Sequence, residues 1–475
     1  MRLGQTSAIF FISKFLGSII GFAASVVLAR ILGEAVLGQY ATVLALVAWL
    51  TIAGKVGLSE SITKRLSEGE EVAEYVGAGL LATSGIGILV LGVTVFLRDW
   101  VNAYVGTPVT FLLIIMVLTS LLNSFGSAAI QGRHLVHISS ILSTLAQLIR
   151  SSVQITLLFA GAGLQAMLAA YALSRAIPGF ISFKYIGVRP AFPSRRHFTS
   201  LFDFAKFSWL GNVQSRVFNT LDILLLKLFV ASGFVGIYSA AWSIGMVLDL
   251  FGDAIRAAMF PEMSKVSSSH DDSSVATLTE NALTYTGLLL IPGFVGGLIV
   301  GDRLLRIYGE GFVIGTEVLA ILLFALLIYT YTKQLLNTLN AVNRPDLAFR
   351  TNAVFIGSNI VLNLVLIYLY EWVGAAVATL LSGIVGIVVS ARYVNQLIDV
   401  QTPVGEIGRQ WVAAIAMGSI VYAVRAFTEG HPLTSFNAAY VTCLVSLGAA
   451  VYFGLLLAIS SQFRMTIVDN LPVEI

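Results

Sequence analysis

Long apolar stretches separated by short polar breaks dominate the chain from end to end. A helix that crosses a membrane needs about 20 largely apolar residues. Strands of a membrane barrel would alternate apolar and polar positions over about ten residues, whereas the runs Ile86–Leu91 and Leu319–Ile328 are apolar without alternation. We therefore predict about fourteen helical spans, near 7–29, 40–61, 75–97, 108–130, 137–160, 165–186, 203–230, 234–259, 275–300, 313–340, 346–369, 372–397, 409–427 and 437–459.

The lysine and arginine residues beside these spans predict how the chain crosses the membrane. Cytoplasmic loops carry an excess of Lys and Arg, and about three in four of the flanking cations fall on the side of the N-terminus. We predict a multi-pass protein of the cytoplasmic (plasma) membrane with both termini in the cytoplasm. The cations on the outer side are Arg30, Arg98, Arg303, Arg306 and Arg425.

Composition narrows the class of protein further. Hydrophobic residues make up 57% of the 475-residue chain and charged residues 11%, with a mean hydropathy of +0.88. A soluble domain carries roughly 25% charged residues, so this chain could not cover a water-facing surface of its own size. The prediction is an all-α integral membrane protein, and a soluble multidomain enzyme is excluded. Cys443, the single cysteine, excludes a disulfide framework and a thiolate metal cluster.

The two halves of the chain share short motifs in the same order. Leu37-Gly38-Gln39-Tyr40 follows an apolar helix and one cation, and so does Val235-Gly236-Ile237-Tyr238. Gln131-Gly132-Arg133 and Val342-Asn343-Arg344-Pro345 each form a tight basic turn between long helices. Recurrence by chance is the alternative. The shared order favours six spans repeated in the same orientation, as in transporters whose halves are related by an axis along the membrane normal.

The polar break at 187–197, which contains Pro190 and Pro193, is the natural boundary between the two halves. No loop exceeds roughly 15 residues, so no extramembrane domain is expected. We predict an N-terminal six-helix lobe at 1–197, a C-terminal six-helix lobe at 198–400, and two additional spans with a tail at 401–475.

Ionisable side chains deep inside the spans are the main functional signal. Each costs about 2.5–3.5 kcal/mol at a helix centre, so such residues normally face a cavity or a partner. The deep cations outnumber the deep acids, and buried positive charge without a partner would be very expensive. The cations are Lys14, Arg150, Arg175, Arg216 and Lys333, and the acids are Asp222, Asp249 and Asp253.

Water and a negatively charged ligand would balance this excess of positive charge. Arginine grips phosphate oxygens in a bidentate fork, so the expected cargo is anionic and phosphorylated, with the five cations as its candidate contacts. Asp222 is a candidate for ion coupling or for steadying Arg216. Asp249, Asp253 and Arg256 are spaced to form a local charge ladder, which is the alternative to ion coupling for these two acids. Helix–helix polar contacts are the alternative for the neutral polar positions.

Motifs for catalysis or nucleotide binding are absent from the sequence. It contains no Gly-x-x-x-x-Gly-Lys-Ser/Thr loop, no His-Glu-x-x-His and no Gly-x-Ser-x-Gly. The five histidines have no neighbours at metal-ligand spacing. We therefore expect a transporter without a catalytic residue, metal or cofactor, driven by an ion gradient, the membrane potential or the substrate gradient.

Several short runs of the sequence together carry a family resemblance that covers nearly the whole chain. The first-half runs are Ser13-Lys14-Phe15-Leu16-Gly17, Leu28-Ala29-Arg30-Ile31-Leu32-Gly33 and Leu37-Gly38-Gln39-Tyr40. The second-half runs are Leu221-Asp222-Ile223-Leu224-Leu225, Val235-Gly236-Ile237-Tyr238-Ser239-Ala240-Ala241, Phe260-Pro261-Glu262-Met263-Ser264 and Val342-Asn343-Arg344-Pro345. Each run alone is short, but in this order they resemble the Wzx-type polysaccharide-lipid flippases of the multidrug/oligosaccharidyl-lipid/polysaccharide exporter superfamily.

The resemblance implies two six-helix lobes around a central cavity, with two further C-terminal helices. It also implies alternating access that carries polyprenyl- or dolichyl-linked sugar phosphate to the outer leaflet. In this family cavity cations hold the lipid phosphate, a role that Lys14 and Arg216 fit by position; Arg150, Arg175 and Lys333 are added from helical phase. The expected partners are the lipid-linked glycan and, as candidates, glycosyltransferases or a polymerase of the same pathway, with no nucleic acid and a monomeric chain.

Rival functions predict different residues. A drug/cation antiporter of the same superfamily would favour acids in the N-terminal lobe, where the deep ionisable residues are Lys14, Arg150 and Arg175. A membrane-embedded glycan polymerase or ligase would be expected to carry a sizeable outer loop, and the outer loops here are short. A structural subunit is disfavoured by the cost of so many deep charges.

Overall fold

A computed structural model describes the backbone of residues 3–216, 220–269 and 271–470. Side chains are described for residues 17, 20–206, 220–269, 271–432 and 434–465. In the described residues, all the long secondary-structure elements are helices. Eleven of these helices are long and apolar enough to cross a membrane. The predicted all-α membrane class is confirmed.

Contacts divide the chain into two compact units, residues 1–239 and 240–475. The predicted boundaries of the lobes, at 197 and 400, stay a prediction. The helices of the first unit are α1 (Leu3–Lys55), α2 (Leu58–Ser67), α3 (Val72–Phe96), α4 (Arg98–Val105), α5 (Thr110–Gly132), α6 (Val136–Phe159), α7 (Leu164–Ile186), α8 (Arg195–Arg216), α9 (Asp222–Phe229) and the start of α10 (Ser232–Ser267).

The second unit continues from α10 through the C-terminal helices. Short 3-10 turns precede two of them, at Glu310–Gly315 and Pro432–Ser435. The remaining helices are α11 (Asp272–Arg306), α12 (Thr316–Ala341), α13 (Pro345–Leu397), α14 (Val404–Thr428), α15 (Asn437–Ile459) and α16 (Ser461–Asn470).

Two of the long helices each contain a backbone break that separates two predicted spans. In α1 the break is Gly33, whose φ of 81° lies in the left-handed region that suits glycine. In α13 it is Glu371, with φ 50° and ψ −132°. Each 53-residue helix therefore corresponds to two of the predicted spans. The predicted span 203–230 covers α8 and α9 and falls partly outside the described residues.

Each unit has its own apolar packing. In the first, Leu58 and Ile62 of α2 pack with Val76 of α3, Phe125 of α5 and Leu201 of α8. The second unit has two apolar clusters. One joins α11, α14 and α15, and its buried members include Ile291, Ala414, Met417, Leu444 and Tyr452. The other joins α11, α12 and α13, and its buried members include Val275, Leu339, Leu347 and Val394.

The shared motifs Gly38-Gln39-Tyr40 and Gly236-Ile237-Tyr238, which we call the two Gly-x-Tyr motifs, meet where α1 crosses the start of α10. A Cβ atom on Gly38 would lie 1.8 Å from the Ser232 carbonyl oxygen, and one on Gly236 would lie 2.0 Å from the Glu34 carbonyl oxygen. Only glycine fits at these positions, because the obstacles are backbone atoms that cannot move aside. Small residues that let helix backbones approach are a common device of helix packing in membranes.

The segment between α7 and α8 is docked onto the start of α3. The Ala191 amide donates to the Ala73 carbonyl oxygen at 2.9 Å. His197 is buried, and its Nδ1 accepts from the Ser194 amide at 2.9 Å, so its Nε2 carries the proton and donates to Glu71 at 2.9 Å. The longest polar break of the first unit is therefore a fixed structural element.

Candidate functional site

Two arginines of the first unit converge on one aromatic ring. Arg150 lies on α6 and Arg175 on α7, and each guanidinium carbon is 5.3 Å from the centre of the Tyr171 ring. Tyr171 and Arg175 are four residues apart on α7, so they share a helix face. Such cation–π contacts contribute about 0.5–2 kcal/mol each. The structure thus brings together two of the predicted phosphate contacts, and the linking Tyr171 was not singled out by the sequence.

Tyr40 fixes the orientation of Arg150. Arg150 Nε donates to the Tyr40 hydroxyl at 3.1 Å, and Gln154 Nε2 donates to the same hydroxyl at 2.7 Å. Gln154 also donates to the Met167 carbonyl oxygen at 3.1 Å, which ties α6 to α7. Tyr40 is only 5% exposed. The tyrosine of the first Gly-x-Tyr motif is therefore a positioning residue for a deep cation.

The two arginines of this pair have no charge partner among the described residues. Both side chains are half-buried, and neither forms a salt bridge with any residue in the described parts of the chain. At membrane depth each such cation costs about 2.5–3.5 kcal/mol, and two cations that contact the same ring also repel each other. An anion bound by both guanidinium groups would remove these costs. We name this group, formed by Tyr40, Arg150, Tyr171 and Arg175, the arginine pair site.

A small polar pocket of about 70 Å³ lies along the same helices. Ser143 and Ser139 are seven and eleven residues before Arg150, which places them on the same face of α6. Pro178 and Ser182 follow Arg175 by three and seven residues on α7. A polar pocket of this size has room for water. Ser139 and Ser143 place this pocket nearer than Arg150 to the predicted cytoplasmic end of α6.

The second unit holds Lys333 in a different setting. Lys333 Nζ on α12 donates to Asp249 at 2.6 Å and to Asp253 at 3.2 Å, both on α10. Thr330 also donates to Asp249, at 3.0 Å, and Arg256 lies 3.6 Å from Asp253. The four charges sum to zero. The structure therefore places this predicted phosphate contact between two carboxylates, and the local charge of the cluster is balanced.

Asp222 is buried and accepts a hydrogen bond from the Tyr238 hydroxyl at 2.8 Å. Tyr238 belongs to the second Gly-x-Tyr motif, as Tyr40 belongs to the first. Tyr238 thus contacts an acidic side chain, whereas Tyr40 contacts a basic one. This contact supports a structural role for Asp222, beside the ion-coupling role that the sequence suggested.

Two predicted phosphate contacts cannot be placed. Lys14 lies in α1 and Arg216 at the end of α8, but both side chains fall outside the described residues. Their predicted role stays a prediction. Within the described residues, no group of three or more His, Cys, Asp or Glu side chains could hold a metal ion.

Comparison with known proteins identifies the relatives of this chain. A model of the polysaccharide biosynthesis protein family matches residues 3–267, more than half of the chain. A probable flippase of Haloferax volcanii, AglR, is 28% identical over 469 residues, covering 98% of this chain and 97% of the relative. A probable low-salt glycan biosynthesis flippase of the same organism, Agl15, is 25% identical over 458 residues, covering 96% and 94%.

Solved structures share the fold of this chain. The lipid II flippase MurJ in an inward closed conformation matches with a TM-score of 0.81 at 16% identity, covering 97% of this chain and 100% of that one. An inward-facing multidrug resistance transporter of the MATE family matches with a TM-score of 0.64 at 12% identity, covering 80% and 95%. The sequence resemblance is confirmed at the level of the family, and the chain belongs to the polysaccharide biosynthesis protein family.

Proposed function

We propose that this protein is a flippase for lipid-linked oligosaccharide. It moves a glycan carried on polyprenyl or dolichyl phosphate or diphosphate from the cytoplasmic to the outer leaflet by alternating access, for cell-surface polysaccharide or glycoprotein glycan synthesis. The observation that carries the proposal is the arginine pair site, which presents two cations and no carboxylate partner among the described residues. The names of its relatives, two of them described as probable flippases, support the same function.

The arginine pair site binds the phosphate of the cargo in this proposal. A guanidinium group forms parallel hydrogen bonds to two phosphate oxygens, which gives both affinity and orientation. Tyr40 holds Arg150 in place through Nε, which leaves the terminal nitrogens of Arg150 for the phosphate. Lys14 and Arg216 are the further phosphate contacts that we propose from sequence position. A moderate number of cations is an advantage, because the site must also release its cargo.

The Lys333 cluster has a structural role in this proposal. Lys333 is matched by Asp249 and Asp253, so binding phosphate there would require breaking two ion pairs. Buried pairs of this kind lose several kcal/mol when one partner is removed. We propose that the cluster fixes α12 against α10, and that ion coupling through Asp249 and Asp253 is the alternative role.

The same proposal includes the topology, oligomeric state, location and partners of the protein. The chain is a monomer with both termini in the cytoplasm, in the cytoplasmic membrane. It has a lobe at 1–197, a second lobe at 198–400 and two further spans in 401–475. Glycosyltransferases or a polymerase of the pathway supply or consume its cargo. It acts as a transporter without a catalytic motif.

A flipping assay in vesicles tests the proposal. The full chain is reconstituted with a fluorescently labelled polyprenyl diphosphate sugar, and dithionite quenches only the label in the outer leaflet. Arg150→Gln and Arg175→Gln should each slow flipping by about tenfold or more, the loss expected for a charge-assisted hydrogen bond. Arg133→Gln is the matched control, because this exposed arginine lies on the turn between α5 and α6. Wild-type rates in both test variants, at equal protein levels, would contradict the phosphate role.

The same assay separates the rival function of a drug/cation antiporter. A cationic site that binds an anionic cargo is blocked by unlabelled polyprenyl phosphate and is indifferent to an organic cation such as ethidium. A cation antiporter would show the reverse, with inhibition by ethidium alone. The lack of a salt bridge to Arg150 or Arg175 among the described residues favours the first result.

A further inference from the structure

Another cation without a salt-bridge partner among the described residues lies at the C-terminal end of α11, in the second unit. Arg303, in the last turn of α11, is 9% exposed, although arginines at helix ends usually extend into water or lipid head groups. Its Nε is buried and has no hydrogen-bond partner among the described residues. In the same part of the chain no carboxylate pairs with it.

The neighbouring charges are already matched, which leaves Arg303 as the source of local positive charge. Asp302 binds Arg425 through two hydrogen bonds of 2.7 Å. Arg306 pairs with Glu310 at 3.0 Å. Asp302 therefore does not neutralise Arg303, although it is the adjacent residue. With these two ion pairs cancelled, Arg303 leaves a net charge of +1 at this end of α11.

The surroundings hold the Arg303 side chain in one place. Its guanidinium carbon lies 5.5 Å from the centre of the Tyr440 ring on α15, and the Tyr440 hydroxyl is bonded to Thr428 Oγ1 at 2.6 Å. Asn437 Nδ2 donates to the Arg303 carbonyl oxygen at 2.8 Å, which ties α15 to the end of α11. A cation held by an aromatic ring and a fixed backbone is preorganised for a ligand.

We propose that Arg303 binds the phosphate group of a membrane lipid, in a site formed by the ends of α11 and α15. Arg303 lies on the outer side in the predicted orientation, so the lipid is in the outer leaflet. Basic pockets between membrane helices bind phosphate head groups, and the planar guanidinium suits a phosphate better than an ammonium does. The phosphate belongs to a bulk phospholipid or to the polyprenyl phosphate of the cargo, which share this chemistry.

An interfacial anchor is the simpler explanation for an arginine at a helix end. An anchor places its guanidinium among the head groups and is therefore well exposed. Arg98, near the predicted outer surface of the first unit, fits that description with a side chain 68% exposed. Arg303 is instead covered by Tyr440, which is itself 7% exposed.

Lipid binding to the purified full chain tests the proposal. Native mass spectrometry counts the bound lipids. The shift of the thermal unfolding transition in detergent gives the affinity when phosphatidylglycerol and polyprenyl phosphate are titrated separately. Arg303→Gln should weaken binding of at least one of these lipids by about tenfold, as expected for one charge-assisted hydrogen bond. Arg303→Lys keeps the charge but loses the fork, and should bind with intermediate affinity. Arg306→Gln, three residues further along, should bind as the wild type does.

The outcomes show whether the site binds a lipid phosphate and which lipid supplies it. A loss confined to phosphatidylglycerol assigns the site to bulk lipid, and one confined to polyprenyl phosphate assigns it to the cargo. Wild-type affinity of Arg303→Gln for both lipids would overturn the proposal. Folding of Arg303→Lys is expected, so this variant keeps the test decisive if Arg303→Gln does not fold. The result is independent of Arg150 and Arg175, which stay unchanged in every variant.

Discussion

The Tyr40 hydroxyl lies 3.1 Å from Arg150 Nε and accepts its hydrogen bond. The same hydroxyl accepts from Gln154, so a single oxygen positions two side chains of α6. Because Tyr40 lies on α1, a residue of the first Gly-x-Tyr motif determines how a cation in another helix is held. The corresponding tyrosine of the second motif, Tyr238, contacts Asp222.

Tyr40→Phe should separate this positioning role from packing. The ring remains, but Arg150 Nε and Gln154 Nε2 lose their shared acceptor, at a cost of about 1–3 kcal/mol for buried donors left unpaired. We expect flipping to slow by roughly tenfold in the vesicle assay because Arg150 is no longer held. Tyr185→Phe, at an exposed position of α7, is the control and should be silent. An unchanged flipping rate in Tyr40→Phe would show that Arg150 needs no such support.

Gly38→Ala should disrupt the crossing of α1 with α10. The added methyl group would meet the Ser232 carbonyl oxygen at 1.8 Å, and forcing helices apart typically costs about 1–3 kcal/mol or more. Thermal unfolding in detergent should show a clearly lower transition. Gly92→Ala is the control, because nothing lies within 4 Å of its Cβ position and alanine favours a helix by about 0.5–1 kcal/mol. Equal transitions for the two variants would contradict the close approach.

Lys333→Met should destabilise the second unit by about 3–5 kcal/mol, since it leaves Asp249 buried without its cation. Adding Asp249→Asn removes the uncompensated charge and should recover part of this loss. Unfolding in mixed micelles measures both variants. If the double variant loses as much stability relative to the wild type as Lys333→Met and Asp249→Asn lose together as single variants, the two residues are not coupled. A large loss of flipping with normal stability would instead point to a direct role in transport.

Acid should weaken the start of α11 through Asp271. Its side chain accepts hydrogen bonds from the Ser274 hydroxyl and amide and from the Ser273 hydroxyl, and these bonds hold the pKa of Asp271 below its usual range. A depressed pKa stabilises the folded state above the unfolded value of about 4 and loses that contribution as pH falls through the folded pKa. Thermal unfolding between pH 3 and 6 should therefore depend less on pH in Asp271→Asn. Identical pH profiles would refute the assignment.

Hydropathy predicted the membrane class and most spans, because a long apolar run leaves few alternatives to a helix in lipid. It also separated the two spans on either side of Glu371, which form one long helix with a break. It could not predict the partner of a deep cation. Helical phase assigned Arg150 and Lys333 to polar faces alike, yet Arg150 meets Tyr40 and Lys333 meets two acids. Those partners are 110 and about 80 residues away, so only tertiary packing reveals them.

Arg303 illustrates the same limit from another side. The sequence places Arg303 among the outer-side cations and gives no sign that its side chain is buried. Burial depends on α15, which begins more than a hundred residues later, and on the pairing of Asp302 with Arg425. A count of charges along the sequence cannot show which arginine lacks a partner.

The docking of the 187–194 segment onto α3 has a practical consequence for protein engineering. Length and two prolines make this segment look suitable for a protease site, an epitope insertion or a split between co-expressed fragments. However, its backbone bond to Ala73 and the His197–Glu71 contact would have to open first. Cutting or lengthening it would therefore release the N-terminal end of α8, and a designer of divided versions of this protein should choose another position.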